Sequence, residues 1–263
     1  MDATPYSKLM ASVATGEGEA RVDVPEDWLQ GRTLFGGLQA AIALRAMRTL
    51  VPETPLRSLQ VAFMSPVPGG PVTAKARVLR SGKNVAYVEG SIVDGDKTLC
   101  LVVGAFGAAR PSVVNLRPQQ PAAPPSDAEV ATYAPGRRLA FTQHFRPRWV
   151  VGATPYSGEG VSHNMIELAM NDTGNATEAH VVAMADFIPP IALAYLSEPA
   201  PAASLTWMLE LLTDDFGAMP LEGWRVDAEL MAAGGGYTNQ SLVLWGPGGV
   251  PVALGRQSMV VFG

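Results

Sequence analysis

The chain of 263 residues is poor in thiols, in charge and in long apolar runs, and each shortage removes a class of protein. Its single cysteine, Cys100, leaves no partner for an internal disulfide and no multi-cysteine zinc site. The three histidines, His144, His163 and His180, fall in no catalytic or metal-ligand motif, and no Gly-x-Ser-x-Gly elbow occurs. Only 19 lysines and arginines stand against 24 acidic residues, a net charge of −5, so the concentrated basic surface that nucleic acid requires is missing. The longest membrane-like stretch, Leu99 to Ala109, has about half the length of a spanning helix, which argues against a membrane span. The N-terminal segment shows no basic stretch leading into an apolar run, so a cytoplasmic location is expected. On that reading the sequons at Asn171 and Asn175 are incidental.

What is present is a composition 48% hydrophobic and 16% charged, that of a compact soluble globule. Between Pro111 and Pro135 six prolines interrupt any periodicity, so residues 111–135 read as a linker between a front unit, 1–110, and a back unit, 136–263. In the front unit an alanine-rich helix is expected from about Phe35 to Leu50, stopped by Pro52. It is followed by the strand-like runs "SLQVAFM", "VTAKARVLRSG", "NVAYVEGSIVDG" and "TLCLVVGAFG", joined by tight turns as antiparallel hairpins. The back unit repeats the order: a helix candidate "DFIPPIALAYL", then "SLTWMLELL", "RVDAELMAAGGG", "YTNQSLVLWGPGG" and "VALGRQSMVVFG". Ser58-Leu59 answers Ser204-Leu205, and the closing "GAFG" answers "VVFG". Two copies of one helix-plus-antiparallel-sheet unit are the economical reading, and two unrelated α+β domains the alternative. Gly36 and Gly37 open the front helix at an entropic disadvantage of about 1 kcal/mol against alanine, so something there needs their missing side chains.

The stretch "LFGGLQAAIALRAMRTLVPETPLRSLQVAFMSPVPGGPVTAKARVLRSGKNVAYVEGSI" resembles the front half of acyl-CoA thioesterases of the double hot dog class, the bacterial thioesterase II type. The resemblance covers most of both units and is clearer in the first. It implies an α+β double hot dog, in which each antiparallel sheet wraps around a central helix and the two sheets join side by side. It also implies an acyl-CoA substrate, no metal and no cofactor. Gly36 and Gly37 would then either let backbone N–H groups approach a bound acyl thioester or permit tight helix-on-sheet packing.

Thioester hydrolysis needs no Ser-His-Asp triad, because the thiolate leaves readily and an oriented water can attack. A carboxylate base, polar groups to hold the water and backbone donors for the oxyanion suffice. Carried over from the resembled family, the base falls on Asp186 of "MADFIPP", the hydroxyl on Ser204 of "AASLTW" and the amide on Gln257 of "GRQSMVVF". Each has a plainer reading. Asp186 stands where an N-cap would precede Pro189 and Pro190. Gln257 is an amide on an apolar strand face that could bond a neighbouring strand. By strict alternation Ser204 shares a face with Thr206, Met208 and Glu210, opposite the apolar set Leu205, Trp207 and Leu209. The family pattern differs in that Gln257 is followed by Ser258 rather than an acidic residue. Lys83, Arg80, Arg146, Arg148 and Arg256 are the cations available to a coenzyme. An acyl-thioester hydratase or dehydratase of the same fold would call for a central-helix histidine, which neither helix candidate offers. A non-catalytic acyl-CoA-binding protein is the other alternative. Open sheet edges would favour a homo-oligomer.

Overall fold

The computed structural model describes residues 3–124 and 139–262. A short helix α1 (Tyr6–Ala11) and strands β1 (Ala14–Gly16) and β2 (Glu19–Val24) open the chain, elements that the sequence pattern did not announce. A small hairpin of β3 (Leu29–Gln30) and β4 (Thr33–Leu34) turns at Gly31, whose φ of 70° is a left-handed position suited to glycine. Helix α2 (Gly36–Arg48) follows, then β5 (Leu56–Phe63), β6 (Gly70–Ser81), β7 (Val85–Asp94) and β8 (Lys97–Gly107). Residues 108–124 run along the surface without regular structure, and 125–135 of the expected linker lie outside the described residues. Beyond it come β9 (Phe145–Val151), β10 (His163–Met170), α3 (Glu178–Ala185), β11 (Ala202–Leu211), β12 (Trp224–Gly234), β13 (Tyr237–Gly246) and β14 (Val250–Val261).

Twelve strands form one antiparallel sheet in the order β1-β2-β6-β7-β8-β5-β11-β14-β13-β12-β10-β9. At its centre β5 pairs with β11, setting Leu59 opposite Leu209 and Val61 opposite Trp207. The alternating strands turn one face inward, so that Val72, Ala74, Val88, Ile92, Val102 and Phe106 meet α2 while β12–β14 offer Val226, Leu244 and Val252. Helix α2 is buried almost all round: Leu38, Ala40, Ala41, Ile42 and Ala43 are inaccessible, and its alanines keep it thin enough for the sheet to close over it. Burying a side chain such as Ile42 contributes about 1.5–3 kcal/mol.

The second helix is not where the sequence suggested. The expected helix "DFIPPIALAYL" is absent, because proline lacks the N–H a helix interior needs and biases the residue before it away from helical angles. Ile191–Tyr195 manage only a 3₁₀ turn. Helix α3 lies just upstream, opened by a capping box in which Thr177 accepts the His180 N–H and the His180 ring accepts the Thr177 N–H. Asp186 is therefore the C-terminal cap residue of α3 and not an N-cap.

Helices α2 and α3 lie side by side and antiparallel. At one end Arg48 grips Glu178 through Nε at 2.9 Å and Nη2 at 2.5 Å, and at the other Gly37 abuts Ala183. Helix α1 locks onto the same assembly through Tyr6, whose hydroxyl donates to the Ala179 carbonyl at 2.8 Å, and Ser7, whose N–H and hydroxyl bond Asp172. This docking ties α1 to the first turn of α3 and to the segment just before it.

Candidate active site

The first N–H groups of any helix lack intrahelical partners, and the residue capping α2, Phe35, has no side chain to satisfy them. The end of α3 supplies the acceptor: the Asp186 carboxylate takes a hydrogen bond from the Gly37 N–H. A Cβ on Gly36 would lie 2.6 Å from Asp186 Oδ2, and one on Gly37 would lie 2.9 Å from the Ala183 Cα. The paired glycines are thus what lets two helix ends meet around one carboxylate, and Gly36 also lies close against the Phe63 ring of β5 in the sheet. Gly36 also lines the cavity described below.

From the last strand, Gln257 donates its amide Nε2 to Asp186 Oδ1 at 2.5 Å. Behind it, Gln240 on β13 sits directly opposite Gln257 in the ladder and donates to Gln257 Oε1 at 3.2 Å. Asp186 is only 9% exposed, and burial pushes its carboxyl up to about 7, against the opposing pull of the Gly37 N–H and the Gln257 amide. Such a group is poised between acid and base at neutral pH.

Ser204 reaches the same cavity by a route that strict alternation misses. A bulge between Ser204 and Thr206 takes Leu205 out of the ladder, so Ser204 pairs with Met259 while Thr206 pairs with Ser258. Ser204 therefore shares the inward face of Trp207, Met259 and Gln257, and not that of Thr206. Its hydroxyl makes no hydrogen bond to Asp186 or Gln257. The structure brings Asp186 and Gln257 into contact and sets Ser204 along the same wall.

The cavity they face has a volume of 790 Å³ and is walled mainly by apolar side chains, among them Leu34, Phe63, Phe141, Phe187 and Ile188. Gln39, buried on α2, was not anticipated. Its Nε2 donates to the Leu34 carbonyl at 2.7 Å, which leaves its Oε1 without a partner beside the cavity. A lone amide within "GGLQAAIALRAM" was the available signal. Among the described residues Arg32, on the β3–β4 turn, is the one lysine or arginine lining the cavity, and it makes no hydrogen bond or ion pair. The cations singled out from sequence lie elsewhere. Arg146 and Arg148 line a separate hollow of 690 Å³, paired with Glu222 and Glu167, and Arg80, Lys83 and Arg256 do not line the cavity.

Helix α3, which was not among the helix candidates, does carry a histidine, but His180 is turned to Thr177 and Asp172 and against the Tyr6 ring. Cys100, which feels the Asp186 charge, has its thiol pushed up to about 12, first by burial, and supplies no thiolate nucleophile at neutral pH. Among the described residues no three His, Cys, Asp or Glu side chains are gathered as for a metal ion, and no helix is long and apolar enough to cross a membrane.

A wide antiparallel sheet folded over buried helices is the hot dog architecture. A conserved hot dog protein from Alicyclobacillus acidocaldarius matches the fold with a TM-score of 0.86 and 19% identity over 99% of each chain. A TesB protein of Mycobacterium avium subsp. paratuberculosis matches with a TM-score of 0.79 and 16% identity, over 99% of this chain and 100% of that one. Acyl-CoA thioesterase II TesB2 of Mycobacterium marinum matches with a TM-score of 0.74 and 18% identity over 97% of each. At these identities the likeness is one of fold. No curated protein matches the chain in sequence. The family comes from its two halves: residues 24–107 match the acyl-CoA thioesterase N-terminal domain, and residues 118–261 match the acyl-CoA thioesterase C-terminal domain. The chain belongs to the acyl-CoA thioesterase family and is a thioester hydrolase.

Proposed function

We propose that the chain hydrolyses an acyl-CoA thioester to the free acid and coenzyme A, with Asp186 as general base. The observation behind this reading is a carboxylate in an apolar cavity, bridged to an amide from the last strand at 2.5 Å and raised to about 7. A water held by Asp186, Gln257 and the free Ser204 hydroxyl adds its oxygen to the thioester carbonyl carbon and passes a proton to Asp186. N–H groups of the first turn of α2 stabilise the oxyanion. Collapse breaks the C–S bond, and the proton returns from Asp186 to the leaving thiolate. The apolar wall takes the acyl chain, and Arg32 at the β3–β4 turn meets the phosphates of the coenzyme.

The same reading treats residues 1–110 and 136–263 as two hot dog units joined through 111–135. Outward from the centre the strands run β5-β8-β7-β6-β2 on one side and β11-β14-β13-β12-β10 on the other, the same chain order twice. The offset that aligns Ser58 with Ser204 (204 − 58 = 146) also aligns Val61 with Trp207 (207 − 61 = 146), and these two are paired across the central seam. Such self-pairing is what a two-fold axis between duplicated units requires. Hydrolysis is favoured over hydration because His180 faces Thr177 and Asp172 rather than the cavity.

The test is Asp186→Asn, which keeps the size and a hydrogen-bond acceptor but removes the base. Thiol release from acyl-CoA falls at least a hundredfold, in keeping with general-base contributions of about 10²–10⁴. Turnover within tenfold of the parent removes Asp186 from the mechanism.

A further inference from the structure

We infer that Gln240 is a positioning residue: it fixes which way round the Gln257 amide sits and so keeps a hydrogen-bond donor on Asp186. A glutamine amide has an oxygen and an NH₂ group of similar size, and nothing in Gln257 alone decides which of them meets the carboxylate. Turned the wrong way, the amide oxygen would lie against the carboxylate oxygen, each an acceptor with nothing to accept.

The decision is taken two residues away, by backbone groups that cannot reverse. The Ile191 N–H can only donate, and it lies 3.0 Å from Gln240 Oε1. Gln240 Nε2 is thereby directed to acceptors, the Pro189 carbonyl at 3.5 Å and Gln257 Oε1 at 3.2 Å. With its oxygen engaged, Gln257 has only Nε2 left for Asp186 Oδ1. The polarity thus runs without a break from the main chain after α3 through two side chains to the carboxylate. Gln240 is inaccessible to solvent, on a strand whose next inward residues are Leu242 and Leu244, so an apolar side chain would suit the packing better. It is also the direct ladder partner of Gln257, the position from which a side chain reaches it most easily.

The inference rests on Asp186 as the base, since the donor matters by favouring its charged form. The groups that face Asp186 are the Gly37 N–H from α2, Gln257 from β14 and the protonated thiol of Cys100 on β8. Arg32 and Tyr156 are the other ionisable side chains lining the cavity. Loss of the fixed donor moves the Asp186 titration upward and thins the population of carboxylate at neutral pH.

The experiment is Gln240→Met, which keeps the length and removes both polar atoms. The acid limb of kcat/KM for acyl-CoA hydrolysis moves up by about one pH unit, so the rate below pH 7 drops about tenfold and recovers in alkali. Adding Gln240→Met to Gln257→Met moves the limb no further, because Gln240 acts through Gln257. Carbon NMR titration of the Asp186 carboxyl reads the same shift without relying on turnover. An unmoved carboxyl titration in Gln240→Met overturns the orienting role alone, whereas full turnover by Asp186→Asn overturns the base assignment alone. A lowered Tm with an unchanged pH profile marks Gln240 as a packing residue and also overturns the proposal. The wild-type chain gives a check that needs no variant. The Gln257 NH₂ protons exchange with solvent far more slowly than exposed amides, and exchange at the exposed rate defeats the proposal.

Discussion

Adding one methyl group at Gly36 tests how closely the two helix ends must approach. In Gly36→Ala the new Cβ would stand 2.6 Å from Asp186 Oδ2 and 3.1 Å from the Phe63 ring. Ordinary contact begins near 3.4 Å, so the carboxylate must retreat by about 0.8 Å (3.4 − 2.6). The Phe63 ring needs only a few tenths of an ångström. Alanine gains up to about 1 kcal/mol of helix propensity over glycine, which offsets the crowding, so the fold survives and Tm changes little. Activity does not survive in the same way. A displacement of about 1 Å of a catalytic group can cost about a hundredfold in rate, and retreat also stretches the bonds from Gly37 and Gln257. Thiol release from a series of acyl-CoA substrates should therefore show kcat reduced between tenfold and a hundredfold with a two-state melt preserved. Gly37→Ala provides the contrast. Its Cβ would press on the Ala183 backbone at 2.9 Å, which has no rotamer with which to yield, so Tm falls along with activity. Unchanged kcat/KM in Gly36→Ala would refute the account of the glycine pair and of Asp186 together.

Two further expectations concern charge. Because Asp186 titrates near 7 in the folded chain and near 3.8 otherwise, kcat/KM should fall about tenfold per unit below pH 7, as read from a pH profile of thiol release. For stability the sign is reversed. The folded state binds the extra proton between those two values, so this group's contribution is full below about pH 4 and is lost as pH rises through 7, a decline that Asp186→Asn should remove from a Tm-against-pH curve. Arg32→Ala should raise KM for acyl-CoA about tenfold, the loss expected of one charge-assisted hydrogen bond at a solvent-facing mouth, and leave N-acetylcysteamine thioesters unaffected. Equal losses on both substrates would take Arg32 away from the coenzyme phosphates.

The sequence disclosed those features that depend on neighbours along the chain. Helix α2 was legible because thirteen mainly small or apolar residues end before Pro52, and β5–β8 because alternation and turn residues are local signals. Asp186 and Gln257 were singled out by family motif and type, while their direct hydrogen bond shows only in the fold. Helix α3 escaped because its eight residues are nearly all apolar and show no amphipathic period, while the apolar run after it looked more helical than two prolines permit. Strict alternation put Ser204 on the outward face, because the bulge that turns it inward shows only in its pairing with β14. Arg32 was passed over in favour of other cations, since no pattern in sequence says which charge will line the cavity.

Local chemistry, then, determined by itself the presence and order of α2 and β5–β8, and which residue types stood ready for acid-base work. The antiparallel meeting of α2 and α3, the hydrogen bond from β14 to the end of α3 and the amide chain through Gln240 belong to tertiary structure. Each joins groups far apart in sequence, 71 residues in the case of Asp186 and Gln257. Closing such distances is driven by burial of the whole core rather than by any pattern within one segment, and the resulting desolvation raises the titration of an ordinary carboxyl group to near neutrality.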